Sequence, residues 1–451
     1  MSHSAANPAR VPLGSTPLGI LGSLKAARRN VLELIPEAAT HAPILSGTTG
    51  KRWHMVMDPE TLRHILRDRV NDYPKSLVTK LILGPAIGES LFVAEGEHWM
   101  WQRRAAAPVF THRNVAALAP VMTHAAERSA ARIAANLGRG ADMFAEMVTA
   151  TFEVISDVTF SGGAGFDRAS VHKAIETYIG QTAKISLLDI LGAPAWVPRP
   201  GRMVATKGIR DMKRVADQAI DQRRSDGAKP TPDLLDLLLK AEDPTSQRQM
   251  ATAELRDNLL TFIVAGHETT ALTLSWALYL CAFAPEIQAE ARAEAQATLG
   301  ERAATVADIV GLPLTRRIVD EALRMYPPAA FLSRTAQVAD TLLGREVRKG
   351  DTVILPIYAL HRHHALWADP DAFNPARFAD PRAIDRFAYL PFGDGPRICI
   401  GASFALQEAV IILATLLARF KFSRIPGRDP KPVMILTLRP EGGVWLQIDA
   451  A

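Results

Sequence analysis

Residues Phe392–Gly401 read FGDGPRICIG. Cys399 stands behind Gly393 and Gly395, just ahead of Gly401, and two positions after Arg397. Gly393 and Gly395 can take backbone angles closed to other residues, so the chain can turn tightly beneath a sulfur. A loop of this kind aims backbone N–H groups at the cysteine and stabilises a thiolate. Ile398 and Ile400 keep water away, Phe392 can shield the sulfur, and Arg397 offers a cation to a nearby anion. Gly401 then opens an apolar helical run, Ala402 to Phe420, whose first turn can approach a flat ligand closely. A buried structural cysteine in a Gly-rich turn would explain the sulfur. It would explain neither Arg397 nor the paired glycines.

Phe392, Gly395, Arg397, Cys399 and Gly401 match the pattern F-x-x-G-x-R-x-C-x-G, and the stretch resembles the haem-binding loop of the cytochrome P-450 family. With each of these positions at roughly 5% by ordinary composition, one chance match in such a chain has a probability on the order of 10⁻⁴. The resemblance implies haem b as cofactor, with Cys399 as the axial thiolate ligand of its iron.

The run from about Ala253 to Phe283 reads as a helix apolar nearly all round, which marks a central buried element. In its middle stand Ala265-Gly266-His267-Glu268-Thr269-Thr270. Glycine and β-branched threonines weaken a helix where packing should be best, and Thr269 can bond back to the Ala265 carbonyl. A buried Glu268 needs a partner or a proton. Several local rules fail together here, as they do at functional sites. The metalloprotease pattern H-E-x-x-H is excluded because Ala271 stands where its second histidine would be. The six residues fit the family's oxygen-activating motif, [AG]-G-x-[DE]-T-[TS]. By that resemblance Glu268 and Thr269 are catalytic, and Ala265 and Gly266 lie against the cofactor.

Further positions extend the resemblance. In GEHWMWQRR, Trp99 and Arg103 are four apart, and both are donors that could share one carboxylate. An amphipathic surface helix with a half-buried tryptophan is the plainer reading of those residues alone. The family's W-x-x-x-R supplies donors to a haem propionate. Arg334 matches a second propionate-binding position. Glu321-Ala322-Leu323-Arg324 is followed by Tyr326-Pro327-Pro328, and Arg377 lies further on. A buried carboxylate between two arginines is well compensated, and the family uses such a triad, here Glu321, Arg324 and Arg377, to brace its cysteine loop. Phe262, Phe331, Leu332, Ile435 and Leu436 would line the substrate pocket by position.

Composition agrees with a large globular enzyme: 48% hydrophobic and 22% charged residues over 451 positions. A net charge of +5 without basic blocks gives no indication of nucleic acid and suits an acidic protein partner. The two cysteines, Cys281 and Cys399, form no disulfide framework, and a reducing cytoplasm fits both. Cys281 reads as a core residue. No apolar run around the central helix is long enough for a membrane span. Residues 1–30, broken by proline and glycine, read as a flexible lead-in, and 31–451 as a single haem domain.

In order, the chain predicts strands His41–Leu45 and Lys51–Met57 around a Gly-Thr-Thr-Gly turn, then a helix capped by Asp58 and running to about Asp68. Residues 75–92 read as irregular, with Gly84-Pro85 breaking any long helix. From Pro120 to about Arg224 the pattern is almost wholly helical. Breaks fall at 161–167 and at 191–202, the latter either a lid over the substrate or a solvated connector. His361-Arg362-His363-His364 cannot easily converge on one metal ion and reads as a polar turn. A final hairpin is expected over Met434–Ile448, around Pro440-Glu441-Gly442-Gly443.

The expected fold is mainly α with small β-sheets: a cytochrome P-450 fold, with a larger helical lobe and a smaller β-rich lobe around a buried haem. The expected function is insertion of one oxygen atom from O2 into an apolar small molecule. The chain ends soon after Cys399, so electrons are expected from a separate ferredoxin or flavodoxin with its reductase. That acidic donor would dock near Cys399, with Arg103 and Arg104 close by. A peroxide-using or isomerising haem enzyme, and a non-catalytic haem sensor, are the alternatives. The intact Glu268-Thr269 pair argues against the first, and the lack of an output module against the second.

Overall fold

The computed structural model of the protein describes residues 7–14, 22, 26, 29–49, 51–160, 206–434 and 436–451. Strands β1 (Ile44–Thr49) and β2 (Lys51–Val56) are followed by α1 (Pro59–Arg63), α2 (Leu77–Ile87), α3 (Gly96–Ala106), α4 (His112–Ala117) and α5 (Ala119–Ala134). Next come β3 (Gly140–Asp142), α6 (Met143–Phe160), α7 (Thr206–Asp226), α8 (Leu234–Leu239), α9 (Thr252–Phe283), α10 (Pro285–Leu299) and α11 (Pro313–Met325). Short strands β4 (Leu332–Thr335), β5 (Asp340–Leu342), β6 (Arg345–Val347) and β7 (Thr352–Leu355) lead to α12 (Ile357–Leu360). The chain closes with α13 (Ala402–Arg419), β8 (Phe420–Arg424), β9 (Lys431–Met434), β10 (Leu438–Glu441) and β11 (Trp445–Ala450).

The α9 helix organises the helical lobe. Its 32 residues run unbroken, about 48 Å at 1.5 Å per residue. Leu259, Ile263, Leu272, Trp276 and Leu280 are all buried, on faces that meet α6, α7 and α13. Burying a side chain of this size contributes about 1.5–3 kcal/mol, so apolar contact all round is what fixes this helix at the centre. Cys281 is fully buried near its end, where burial pushes the thiol up to about 12. Among the described helices, α13 is long and apolar enough to cross a membrane, and 72% of it is buried inside the protein.

The β-rich part begins with a sheet ordered β1-β2-β7-β4, in which β2 and β7 are parallel and the outer pairs antiparallel. Here the structure corrects the expected turn. Strand β1 continues through Gly47, Thr48 and Thr49, with Thr49 opposite Lys51. Gly47 is needed for pairing: a Cβ there would lie 2.4 Å from the ring of Trp53 opposite.

The stretch expected to be irregular contains α2, with Pro85 in its last turn and Gly88 closing it at φ 54°. A proline so near the end forfeits only one ladder bond, so the helix forms and then stops. The expected C-terminal hairpin is also re-paired. Strand β10 pairs β9, whereas β11 pairs β8 and β3. Gly442 and Gly443, both at φ 83°, turn the chain away, and Asp142 receives the Val444 N–H at 2.8 Å. Residues 7–14, placed in the lead-in by sequence, are tied down by tyrosines: Tyr326 donates to the Ala9 carbonyl at 2.6 Å, and the Val11 N–H donates to Tyr358 at 2.9 Å. The breaks at 161–167 and 191–202 lie outside the described residues.

Candidate active site

The cysteine loop folds as its glycines require. Gly393 and Gly395 sit at φ 68° and 73°. A Cβ on Gly395 would come 2.1 Å from the Leu66 carbonyl oxygen, so only glycine lets the loop close against the chain after α1. The Cys399 N–H donates to the Phe392 carbonyl at 2.9 Å. The sulfur is exposed to a large cavity that it helps to line. Burial pushes the thiol up, against the opposing pull of the Gly401 N–H and the positive charges of Arg103 and Lys75. Gly401 lines the cavity at the start of α13, and a Cβ there would meet nothing within 4 Å. Its backbone is bare on the cavity side.

Across the cavity runs the middle of α9. Ala265, Gly266, Glu268, Thr269 and Thr270 all line it. Thr269 donates to the Ala265 carbonyl at 2.8 Å and Thr270 to Gly266 at 3.1 Å, each four residues back. Glu268 is buried, and its partners come from the end of the chain. Thr437 donates to its carboxylate at 2.6 Å, and Arg439 forms an ion pair with the same oxygen. Residues 437 and 439 lie two apart on or beside one strand, so both side chains face Glu268. His267 turns elsewhere, with Nδ1 2.8 Å from the Ile263 carbonyl and its ring edge-on to Phe152.

A cluster of cations closes one side of the cavity. Trp99, Arg103, Arg334 and Arg397 line it, and so does Lys75, which the sequence reading missed. Arg397 is ion-paired with Glu95, donates to the Ala94 carbonyl at 3.0 Å, and lies over the Trp99 ring 4.2 Å from its centre. Burial and the neighbouring positive charges lower Lys75 to about 7 and Arg334 to about 10. Burial likewise lowers Arg103 and Arg397. Buried cations of this kind call for further anions. Arg103 faces the cavity, and Arg104, still exposed, is held by Asp243 through bonds of 2.7 and 2.8 Å.

Behind the cysteine loop, the structure brings Glu321, Arg324 and Arg377 together. Arg324 forks onto the Glu321 carboxylate at 2.7 and 2.9 Å, and Arg377 reaches it at 3.3 Å. Arg324 also donates to the carbonyls of His361 and Pro370 at 2.7 and 2.8 Å. The histidine run forms a turn, as the sequence suggested, but a buried one: His361, Arg362 and His363 are all buried. His361 accepts the Leu390 N–H at 2.9 Å while its Nδ1 lies 3.1 Å from the Arg324 carbonyl. Burial beside Arg324 lowers this imidazole to about 3, so it stays neutral and links the triad to the segment entering the cysteine loop. Only His364 is exposed, stacked on His41.

The cavity has a volume of about 1500 Å³. Phe262, Phe331, Leu332 and Leu436 line it, and Phe110, edge-on to Phe262 at 5.1 Å, joins them. Ile435 lies outside the described residues. A planar, dianionic iron porphyrin suits this donor set: a sulfur open to the cavity, bare backbone at Gly401, and buried cations to one side.

The cytochrome P-450 family model matches residues 12–447. The protein LUTEIN DEFICIENT 5, chloroplastic, of Arabidopsis thaliana is 31% identical over 439 residues, covering 91% of this chain and 72% of the relative. The cyclooctat-9-en-7-ol 5-monooxygenase of Streptomyces melanosporofaciens is 32% identical over 420 residues, covering 92% and 89%. The crystal structure of the cytochrome P-450DA heme domain superposes with a TM-score of 0.83 at 25% identity, covering 98% of each chain.

Proposed function

This chain belongs to the cytochrome P-450 family of haem-dependent monooxygenases, and from that premise we propose that Cys399 holds its haem iron and that the cavity receives an apolar small molecule. One observation carries the reading. The Cys399 sulfur and the Glu268-Thr269 pair open onto the same largely apolar cavity, from the cysteine loop and from α9. Bound there, a thiolate-ligated haem supplies the oxygen activation, the sulfur's electron density favouring O–O cleavage.

The chain's own residues have separate tasks. Lys75, Arg103, Arg334 and Arg397, with the Trp99 N–H, would bind and orient the cofactor's two carboxylates. The Thr269 hydroxyl both donates and accepts, so it can hold a proton-bearing water in the cavity, and the Glu268 carboxylate can take up and release the protons. Phe262, Phe331, Leu332 and Leu436 exclude water from the reacting region. The triad and His361 keep the cysteine loop in place.

A ferredoxin or flavodoxin with its reductase is the proposed electron source. Support comes from two exposed arginines: Arg67 lies beside Gly395 in the cysteine loop, and Arg113 stands on α4, which the Gln407 side chain of α13 grips through the Val115 carbonyl at 2.9 Å. Electron transfer should weaken as salt rises, since exposed charges are screened over about 10 Å at 0.1 M. A cytoplasmic location completes the proposal, because one thiol buried in the core and one in the cavity suit a reducing compartment.

The test is turnover of fatty acids, terpenoids and aromatics, chosen by the spectral shift they cause on binding. With reductant and isotopically labelled O2, the product should carry one labelled oxygen atom. Product formed with unlabelled oxygen, or only with added peroxide, would overturn the reading.

A further inference from the structure

Ser46 on β1 and His54 on β2 stand directly opposite each other. The Met57 N–H donates to the Pro43 carbonyl at 2.9 Å, which makes Met57 and Pro43 a backbone-bonded pair. By alternation along the register, Ser46 and His54 are a pair without backbone bonds between them, the kind in which side chains come closest. Ser46 Oγ lies 2.8 Å from His54 Nδ1, and His54 Nε2 lies 3.2 Å from Asp351 Oδ2. A carboxylate only accepts, so Nε2 carries the ring hydrogen and Nδ1 is left to accept from the serine hydroxyl. Asp351 also receives the Arg348 N–H at 2.8 Å and pairs with Arg52 at 3.2 Å, which fixes its carboxylate from two further sides. His54 and Asp351 are 3% and 7% exposed, whereas Ser46 is exposed and borders the cavity. A buried carboxylate and a buried imidazole thus lead outward to a serine that a solute can reach.

We propose that Ser46, His54 and Asp351 form a second catalytic site, a serine hydrolase centre for activated carboxylic esters. A serine hydroxyl, a base within hydrogen-bond reach and a third group orienting that base are the parts that acyl transfer needs. Because Ser46 and His54 share no ladder bonds, the Ser46 N–H points away from β2, and β1 is the edge strand of its sheet. That N–H can donate to the oxyanion formed on an attacked carbonyl. It is a single donor, so the centre suits esters with a good leaving group, such as aryl esters, and not amides. In the first step the Ser46 O–H bond breaks, its hydrogen goes to His54 Nδ1, and Oγ bonds to the acyl carbon. The bond from that carbon to the leaving oxygen then breaks, and His54 returns the hydrogen to the leaving oxygen. Water releases the acyl group from Ser46 by the same route. Ester and water become acid and phenol, and no electrons change hands. No step uses Cys399, Glu268 or Thr269, so this activity is separate from oxygen insertion.

The probes are p-nitrophenyl acetate and diisopropyl fluorophosphate, applied to the full-length haem-loaded protein without reductant. p-Nitrophenol should be released catalytically, over many turnovers. Diisopropyl fluorophosphate should add a single diisopropylphosphoryl group, mapped to Ser46 by peptide mass spectrometry, and should stop the hydrolysis. A hydroxyl that only satisfied the imidazole would be no more reactive than any other exposed serine. His54→Gln should lower the hydrolysis rate about 100-fold or more, in the range of a lost general base, and should prevent the adduct. Ser46→Ala should lower the rate at least as far. The adduct on the parent protein needs no variant, so the test holds even where His54→Gln does not fold. A parent protein that gains no adduct at Ser46, or a Ser46→Ala protein that hydrolyses the ester at the parent rate, would overturn the proposal.

Discussion

The guanidinium of Arg397 lies over the indole of Trp99, 4.2 Å from the ring centre, while ion-paired with Glu95. This contact joins the cysteine loop to α3, and the same two elements carry Cys399 and Arg103. A planar cation is what the arrangement requires, since it stacks on the ring and forks toward carboxylate and carbonyl at once.

Arg397→Lys keeps the charge and loses both the stack and the fork. Removing hydrogen bonds to charged groups costs about 1.5–3 kcal/mol, so haem transfer to an excess of apomyoglobin should be about 10- to 100-fold faster. Trp99→Leu should have a smaller effect in the same direction. Unchanged transfer rates in both variants would mean that this contact serves only the fold of α3.

Cys399→Ala should abolish the red-shifted absorption band of the reduced, carbon monoxide-bound protein, because the thiolate is its source. Cys281→Ala, deep in α9, should keep the band and lose only a little stability from a small cavity. A band that survives Cys399→Ala would show another ligand on the iron.

Glu321 and Arg324 are each 0% exposed and share a two-pronged bond. Leaving one partner buried alone costs about 3–5 kcal/mol. Arg324→Leu should therefore lower the denaturant midpoint sharply and yield protein that does not retain haem. Arg324→Leu/Glu321→Leu should recover part of the loss, since no buried charge is left unpaired. Equal midpoints for the single and double variants would mean that Arg324's bonds to the His361 and Pro370 carbonyls, and not the ion pair, carry the bracing.

What the sequence showed and what it hid follow from the range of the interactions. Local signals were legible: the glycines that turn the cysteine loop, the all-round apolar run of α9, and Thr269 bonding back to Ala265. The Glu321–Arg324 spacing was readable because both sit on one face of a helix. Gly47 was misread because its reason is the Trp53 ring on the next strand, which no local pattern contains. Lys75 was missed because a lone lysine in a mixed stretch carries no signal until folding buries it among arginines. His361 was set aside as a turn residue, since its partners, Leu390 and Arg324, are both remote in sequence. The partners of Glu268 were equally hidden: Thr437 and Arg439 lie on the far side of the cysteine loop in the chain.

Thr269 should decide whether oxygen chemistry is productive. Its hydroxyl faces the cavity and donates to the Ala265 carbonyl at 2.8 Å, so its oxygen remains free to accept from a water beside it. Valine in its place would keep the shape and the β-branch; alanine would also open space. Both should leave haem content, fold and substrate-induced spectral shift near parent values, because among the described residues the hydroxyl bonds to its own helix, at the Ala265 carbonyl. Without it, proton delivery is no longer directed, and reductant should be consumed mainly to release hydrogen peroxide. A positioned proton-transfer group contributes about 10²–10⁴-fold, so even a partial loss should be visible as product per reductant falling several-fold. Glu268→Gln should slow turnover and keep Thr437 as a partner, separating proton supply from proton placement. The measurement is product and peroxide assayed together against reductant consumed. A Thr269→Val enzyme as tightly coupled as the parent would mean that this hydroxyl serves the helix and not the reaction.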